Sequence, residues 1–150
     1  MSTATLYDRD FYRWSLEQAE RLRRLAAMRA NLAAPLDLDK LAEEIESSGK
    51  SQAREVFSRC LVLLVHLLEW RHRPQRRSRS SRSTIRTQRI ELSRPCRESP
   101  SPRARRAAEL AQACTEARLL AADETRLPPA TFPEARPFAI EEVEDPEFLP

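Results

Sequence analysis

The sequence predicts an all-α fold, a single helical bundle of four or five helices with an extended proline-rich C-terminal tail packed on it. Apolar side chains recur every three or four residues along most of the chain, which is the period of an amphipathic helix. The 150 residues include eleven prolines and a single glycine, Gly49. Because tight β-hairpins and phosphate-cradling loops need glycine, small β-sandwiches and the glycine-rich nucleotide-binding motifs are excluded. We expect one domain over residues 1–150, with a helical core at about 7–124 and a wrapping tail at about 125–150.

The first helix is predicted from a start signal and an apolar stripe. Thr5 and Asp8 have the spacing of a capping box, in which two side chains satisfy the first free backbone N–H groups of a helix. The segment is expected to end near Arg29 or Asn31, before Pro35. Its stripe at steps of three and four consists of Tyr7, Phe11, Trp14, Leu22 and Leu25.

Two further helices are predicted on either side of Gly49. Asp37 or Asp39 can cap a short helix whose apolar residues alternate with glutamates. Gly49 is expected to break or kink the chain, because glycine is a poor helix former. The strongest helical pattern then runs from Ala53 to about His72, and an apolar stripe this wide predicts the central core helix. Its inward residues are Ala53, Phe57, Cys60, Leu64, Leu67 and Leu68, widened by Val56, Leu61, Leu63 and Val65.

The second half of the chain predicts two more helices and the tail. A thin apolar line over Ser78–Arg94 favours a helix that Pro95 should terminate. A stripe of small residues indicates another helix from Arg103 to about Asp123. Beyond it, the frequent prolines favour an extended segment with one helical turn near Ala139–Glu144. The side chains expected to hold this tail are Phe132, Phe138, Ile140, Val143, Phe148 and Leu149.

Charge is divided into three segments along the chain. Residues 1–70 have a net charge of −1 and residues 107–150 a net charge of −7. Residues 71–106 hold thirteen arginines against two glutamates, a net charge of +11. Two interpretations follow. The arginine segment forms a surface that binds nucleic-acid phosphates, or it pairs internally with the acidic C-terminal end and with Glu43, Glu44 and Glu46.

The chemistry-bearing residues favour neither a catalytic nor a metal centre. The only histidines, His66 and His72, face different sides of a helix, since six residues correspond to a net rotation of about 240°. Glu69 and His72 have the helical Glu-x-x-His spacing of di-iron proteins, but no second copy of that motif exists. We therefore predict no catalytic residue, no metal ligand and no cofactor.

Composition also indicates where the protein works. Three cysteines without a CxxC pair argue against a disulfide framework and favour a reducing compartment. The longest apolar stretch, Cys60 to Leu68, is far shorter than the ~20 residues of a membrane span. We expect a cytoplasmic protein that does not enter the membrane.

Several stretches together carry a resemblance that extends from about Tyr7 to Leu149. They are the segment Tyr7–Trp14, then LAEEIESSGKS from Leu41, HLLEW from His66, RSRS from Arg77, TIRTQR from Thr84, and the ending TFPEARPFAIEEVEDPEFLP. With these motifs the chain resembles the bacterial family called domain of unknown function 29. The resemblance implies an all-α cytoplasmic protein and no reaction. The chain departs from the family pattern at Ser81, where tryptophan is usual, at Glu69, where lysine is common, and at Pro95.

The resemblance also implies a candidate polar cluster. It would lie between the central helix, the acidic helix and the arginine helix, as a structural network or a small anion site. Its members, which match polar features of the family pattern, are Glu43, Glu44, His66, Arg77, Gln88 and Arg89.

Three function classes remain, and they are ordered by this reasoning. The first is a protein-interaction or accessory module that binds a protein partner or a second copy of itself. The second is a non-specific binder of nucleic-acid backbone through residues 71–106, although this segment has no aromatic residue on which bases could stack. The third is a metal-dependent or acid–base enzyme, so the sequence favours a protein that is not an enzyme.

Overall fold

The protein is described by a computed structural model that covers residues 3–28 and 36–150. Four long helices account for most of these residues, and none of the described residues is in a β-strand. The prediction of an all-α fold is confirmed. The elements are α1 (Leu6–Arg9), α2 (Phe11–Met28), α3 (Leu38–His72), a 3₁₀ turn (Pro74–Arg76), α4 (Arg79–Glu98), α5 (Arg103–Thr125), a second 3₁₀ turn (Pro129–Thr131) and α6 (Ile140–Glu144).

The described residues divide into two compact units that share helices α3 and α4. The first unit comprises residues 3–28, 36–55 and 96–102, and the second comprises residues 56–95 and 103–150. The single domain expected over residues 1–150 stays a prediction. Within the described residues, none of the helices has both the length and the hydropathy that crossing a membrane requires.

The N-terminal segment forms two helices where one was expected. The predicted capping box of Thr5 is present, with the Thr5 backbone N–H donating to Asp8 Oδ2 at 2.7 Å. Helix α1 then stops at Asp10, whose carboxylate accepts a hydrogen bond from the backbone N–H of Arg13 at 3.0 Å. Asp10 therefore acts as the cap of a new helix, α2. The expected end near Arg29 or Asn31 falls at positions outside the described residues.

Helix α3 is continuous through Gly49, so the prediction of a break or kink there is wrong. A Cβ atom at position 49 would lie 1.9 Å from Ser15 Oγ and 2.7 Å from Ser15 Cβ. Gly49 is therefore a close-packing position that lets α3 approach α2. Tertiary packing outweighs the weak helix propensity of one glycine, which amounts to roughly 1 kcal/mol.

Helix α4 continues through Pro95, so the predicted end at that proline is also wrong. Pro95 is buried, and α4 extends to Glu98. Proline removes one hydrogen bond from the helix, but burial of its ring contributes in the opposite direction. Ser99–Pro102 then forms the loop.

The core of the second unit is made by the predicted apolar stripes. From α3 it takes Leu63, Leu64, Val65, Leu67 and Leu68, and from α4 it takes Ile85 and Leu92. Helix α5 contributes the expected small-residue stripe of Leu110, Ala113, Cys114, Ala117 and Ala121. The tail completes the core with Phe132, Phe138, Ile140 and Val143. The predicted tail packing and the helical turn near residues 139–144 are confirmed.

Candidate functional site

The arginine-rich segment pairs in part with the acidic C-terminal end, as one of the two sequence interpretations predicted. Arg106 Nη1 lies 2.5 Å from Glu144 Oε1, and Arg103 pairs with Glu141. The expected pairing with the acidic helix takes a different form. Glu43 pairs with Lys40, and Glu46 pairs with Lys50 and with Arg23.

Arg89 is the most buried of these arginines, with a relative exposure of 8%. Its Nε donates to the Val143 carbonyl at 3.0 Å, and its Nη2 donates to the Glu142 carbonyl at 3.3 Å. Its Nη1 lies 3.5 Å from the carbonyl of Pro146. These carbonyls belong to the end of α6 and the residues after it, where helical acceptors lack intrahelical partners. Burial lowers the pKa of Arg89, and the side chain fastens the tail to α4.

Four other arginines of α4 form an exposed line that we call the arginine stripe. It consists of Arg79, Arg82, Arg86 and Arg94, and no ion pair joins any of them to a carboxylate in the described part of the chain. They span about 22 Å along the helix axis at 1.5 Å per residue. Ile90 lies on the same side of the helix and is 59% exposed.

A second feature is an open cleft at the C-terminal end of α3, which we call the α3–α4 cleft. It encloses about 440 Å³ of empty space, part of which is continuous with solvent. Three arginines and one histidine give it a cationic lining. The lining residues are His66, Glu69, Trp70, Arg73, Arg76, Arg77 and Ser81.

Arg77 is held rigidly at the wall of this cleft. Its Nε donates to the Trp70 carbonyl at 2.7 Å, and its guanidinium lies over the Trp70 ring, 5.4 Å from the ring centre. Its Nη2 also lies 3.4 Å from the main-chain oxygen of Pro150. The neighbouring Ser81 is fixed as well, since its hydroxyl oxygen accepts from the Ser78 backbone N–H at 3.1 Å. Two polar groups of the cleft are therefore preorganised.

One carboxyl group lines the cleft. Glu69 Oε2 lies 3.5 Å from His66 Nδ1, and on another side Glu69 faces the carboxyl group of Glu124. Burial raises the pKa of Glu69, and the nearby negative charge of Glu124 raises it further. The local environment thus disfavours a negative charge at this position.

The predicted polar cluster is distributed over several places. Its two glutamates, Glu43 and Glu44, are exposed on α3 in the first unit. His66 and Arg77 line the α3–α4 cleft together, whereas Arg89 lines a different pocket beside the tail. Gln88 Oε1 is buried and has no hydrogen-bond partner among the described residues. The six-residue cluster as a whole stays a prediction.

Sequence reasoning did not single out Arg73 and Arg76 as site residues. Both lie at the 3₁₀ turn that follows α3, in which the Arg76 N–H donates to the Arg73 carbonyl at 2.9 Å. Positions i and i+3 of such a turn lie on the same side. The signal that could have found them is Pro74, which ends α3 and fixes φ at the start of the turn.

The Glu-x-x-His motif on α3 does not form a metal centre. His72 packs its ring edge-on against Phe132 at 5.1 Å, and its Nε2 is buried without a hydrogen-bond partner in the described structure. Burial lowers the pKa of His72. Across residues 3–28 and 36–150, no three His, Cys, Asp or Glu side chains are grouped so as to hold a metal ion.

Comparison with known families agrees with the motifs and the helical architecture. The model of one family, Domain of unknown function DUF29, matches residues 6–149. The chain belongs to the DUF29 family. The chain is also similar to an alpha-helical protein of unknown function from Rhodospirillum rubrum ATCC 11170, known from a crystal structure. The two share 27% sequence identity with a TM-score of 0.67, over 99% of this chain and 92% of the other.

None of the curated proteins is significantly similar to this DUF29 chain. The solved relative is itself described only as helical and of unknown function. The comparisons therefore establish family and fold. A proposal about function has to be argued from the surfaces of the chain.

Proposed function

We propose that this DUF29 chain is a protein-interaction module of the cytoplasm that binds an acidic protein segment through the arginine stripe of α4. The observation that carries the proposal is the combination of four exposed arginines with an exposed isoleucine on one helix face. Arginine and apolar side chains are characteristic of the centre of protein interfaces. The three cysteines form no disulfide, which supports a reducing compartment.

The contrast with the other arginines supports a binding role for this face. Arg89, Arg103 and Arg106 all bind acceptors of the tail. The stripe arginines have no such carboxylate partner in the described residues, so their charge is available to a partner. An acidic segment would supply carboxylates that match the guanidinium forks, and an apolar residue of that segment would cover Ile90.

Binding of nucleic-acid backbone is a second candidate, favoured by the length of the stripe. Four cations over about 22 Å can meet several phosphates. The described part of the arginine helix presents no aromatic ring for base stacking, so this binding would be electrostatic only.

The test compares two ligands of similar charge by fluorescence anisotropy, a labelled peptide of alternating Glu and Leu and a labelled DNA duplex. The proposal predicts that Arg82→Ala/Arg86→Ala weakens peptide binding at least tenfold and that Ile90→Ser weakens it at least threefold. For the duplex, backbone binding predicts no effect of Ile90→Ser and a salt slope reduced by about one per arginine removed.

Arg54→Ala is the matched control, since Arg54 is exposed on α3 in the first unit, outside the stripe. Peptide binding by the double arginine variant that equals binding by the control would overturn the proposal. Tighter binding of the duplex, unaffected by Ile90→Ser, would replace the proposal by the nucleic-acid function. Sedimentation velocity then shows whether the acidic partner is a second copy of the chain.

A further inference from the structure

The α3–α4 cleft has the features of a binding site separate from the arginine stripe. Its volume of about 440 Å³ falls in the range of small-molecule sites. Three guanidinium groups line it, from Arg73, Arg76 and Arg77, against the single carboxyl group of Glu69. The balance of charge in the cleft is therefore positive.

The cationic groups differ in how they are used. Arg77 is held by the carbonyl and ring of Trp70 and by the main chain of Pro150. Arg73 and Arg76 form no ion pair with a carboxylate in the described residues, and Glu69 faces His66 and Glu124. One arginine is thus preorganised and two retain their hydrogen-bonding capacity.

The donor types select the class of ligand. Guanidinium forks bind oxyanions through paired N–H donors, and arginine is the preferred residue where phosphate or carboxylate must be recognised. Three cations around one opening match the two negative charges of a phosphate monoester better than the single charge of a carboxylate. The Trp70 ring has one face covered by Arg77, so stacking of a nucleobase on that face is blocked.

We propose that the α3–α4 cleft binds a small phosphate-bearing molecule, with Arg73, Arg76 and Arg77 as the groups that contact the phosphate. His66 and the Ser81 hydroxyl line the same opening and supply further polar contacts. The site is independent of the proposed protein-binding face, because the stripe arginines do not line the cleft.

Trp70 provides a direct readout of this site. The chain has two tryptophans, so the variant Trp14→Phe leaves Trp70 as the only one. In this background, potassium phosphate is titrated against potassium chloride of equal ionic strength while Trp70 fluorescence is recorded. We expect a saturable change with phosphate and none with chloride, and an at least tenfold higher Kd in Arg73→Gln/Arg76→Gln.

The control variant is Arg94→Gln, an exposed arginine of α4 outside the cleft, which should leave the Kd within twofold. Far-UV circular dichroism verifies that the variants remain folded. The proposal is overturned if the phosphate response matches that of chloride, or if the double variant and the control bind alike. Equal affinity for acetate at the same ionic strength would overturn the phosphate class. A phosphate ester that binds more tightly than inorganic phosphate would identify the ligand as an organic phosphate.

Discussion

Replacing Arg89 by alanine should be the most destabilising single change in the second unit. The guanidinium is buried and donates two hydrogen bonds of ordinary length, to the carbonyls of Val143 and Glu142, at 3.0 and 3.3 Å. The third contact, to Pro146, is 3.5 Å long and lies at the limit of a hydrogen bond. Deleting the side chain removes both stronger bonds and leaves their carbonyl acceptors to find other donors.

The expected magnitude follows from these bonds. Hydrogen bonds to charged groups contribute about 1.5–3 kcal/mol each, so two of them amount to ~3–6 kcal/mol. The cost of burying the guanidinium, which also lowers the pKa of Arg89, offsets part of this sum. We expect Arg89→Ala to lower the free energy of unfolding by about 3–5 kcal/mol, a large share of the ~5–15 kcal/mol of a small domain.

Urea unfolding followed by far-UV circular dichroism and by Trp70 fluorescence measures this loss. Arg86→Ala, one turn away on the exposed face of α4, is the matched control and should change stability by less than ~0.5 kcal/mol. Arg89→Lys keeps the charge but loses the planar fork, so its stability should lie between the other two. If Arg89→Ala were as stable as Arg86→Ala, the tail would not depend on this side chain, and the reasoning above would be refuted.

Two further predictions concern packing and pH. Gly49→Ala should destabilise the protein by about 1–3 kcal/mol, despite the higher helix propensity of alanine, because its Cβ would overlap Ser15; Ser15→Gly in the same chain should restore part of the loss in thermal unfolding, and a lone Gly49→Ala that raises the Tm would contradict the close approach. The pKa of Glu69 is raised in the folded state, so the stability this group contributes is present below its unfolded pKa and is lost as pH rises through the folded pKa. Glu69→Gln should therefore stabilise the protein increasingly between pH 4 and pH 8, whereas the exposed control Glu116→Gln should show no such trend, and parallel curves for the two variants would count against the assigned environment of Glu69.

The helices themselves could be predicted from the sequence because their apolar residues repeat with helical period. Helix α5 is the clearest case, since its small-residue stripe is the buried face observed. The errors came from single residues read as local signals. Gly49 and Pro95 lie inside helices because the contacts around them outweigh a loss of intrinsic helix stability. Asp10 was missed because its role as a cap depends on a backbone turn that leaves no periodic trace.

The candidate site was only partly predictable for a different reason. Arg89 was named from its motif, but its acceptors are main-chain carbonyls more than fifty residues away, and any residue type supplies a carbonyl. Arg73 and Arg76 looked like two members of a long charged run. Their common opening is created by the turn after α3 and by the start of α4, and such a juxtaposition is a property of the folded chain.

The burial of the tail has a consequence for synthesis of the protein in the cell. Leu67 and Leu68 of α3 are fully covered only in a core that includes Phe138 and Val143. About 75 residues separate these parts, which a ribosome adds in roughly 4–15 s at 5–20 residues per second. During that interval the nascent chain exposes its most apolar surface, so a chaperone that shields leucine-rich segments should associate with it before translation reaches the tail.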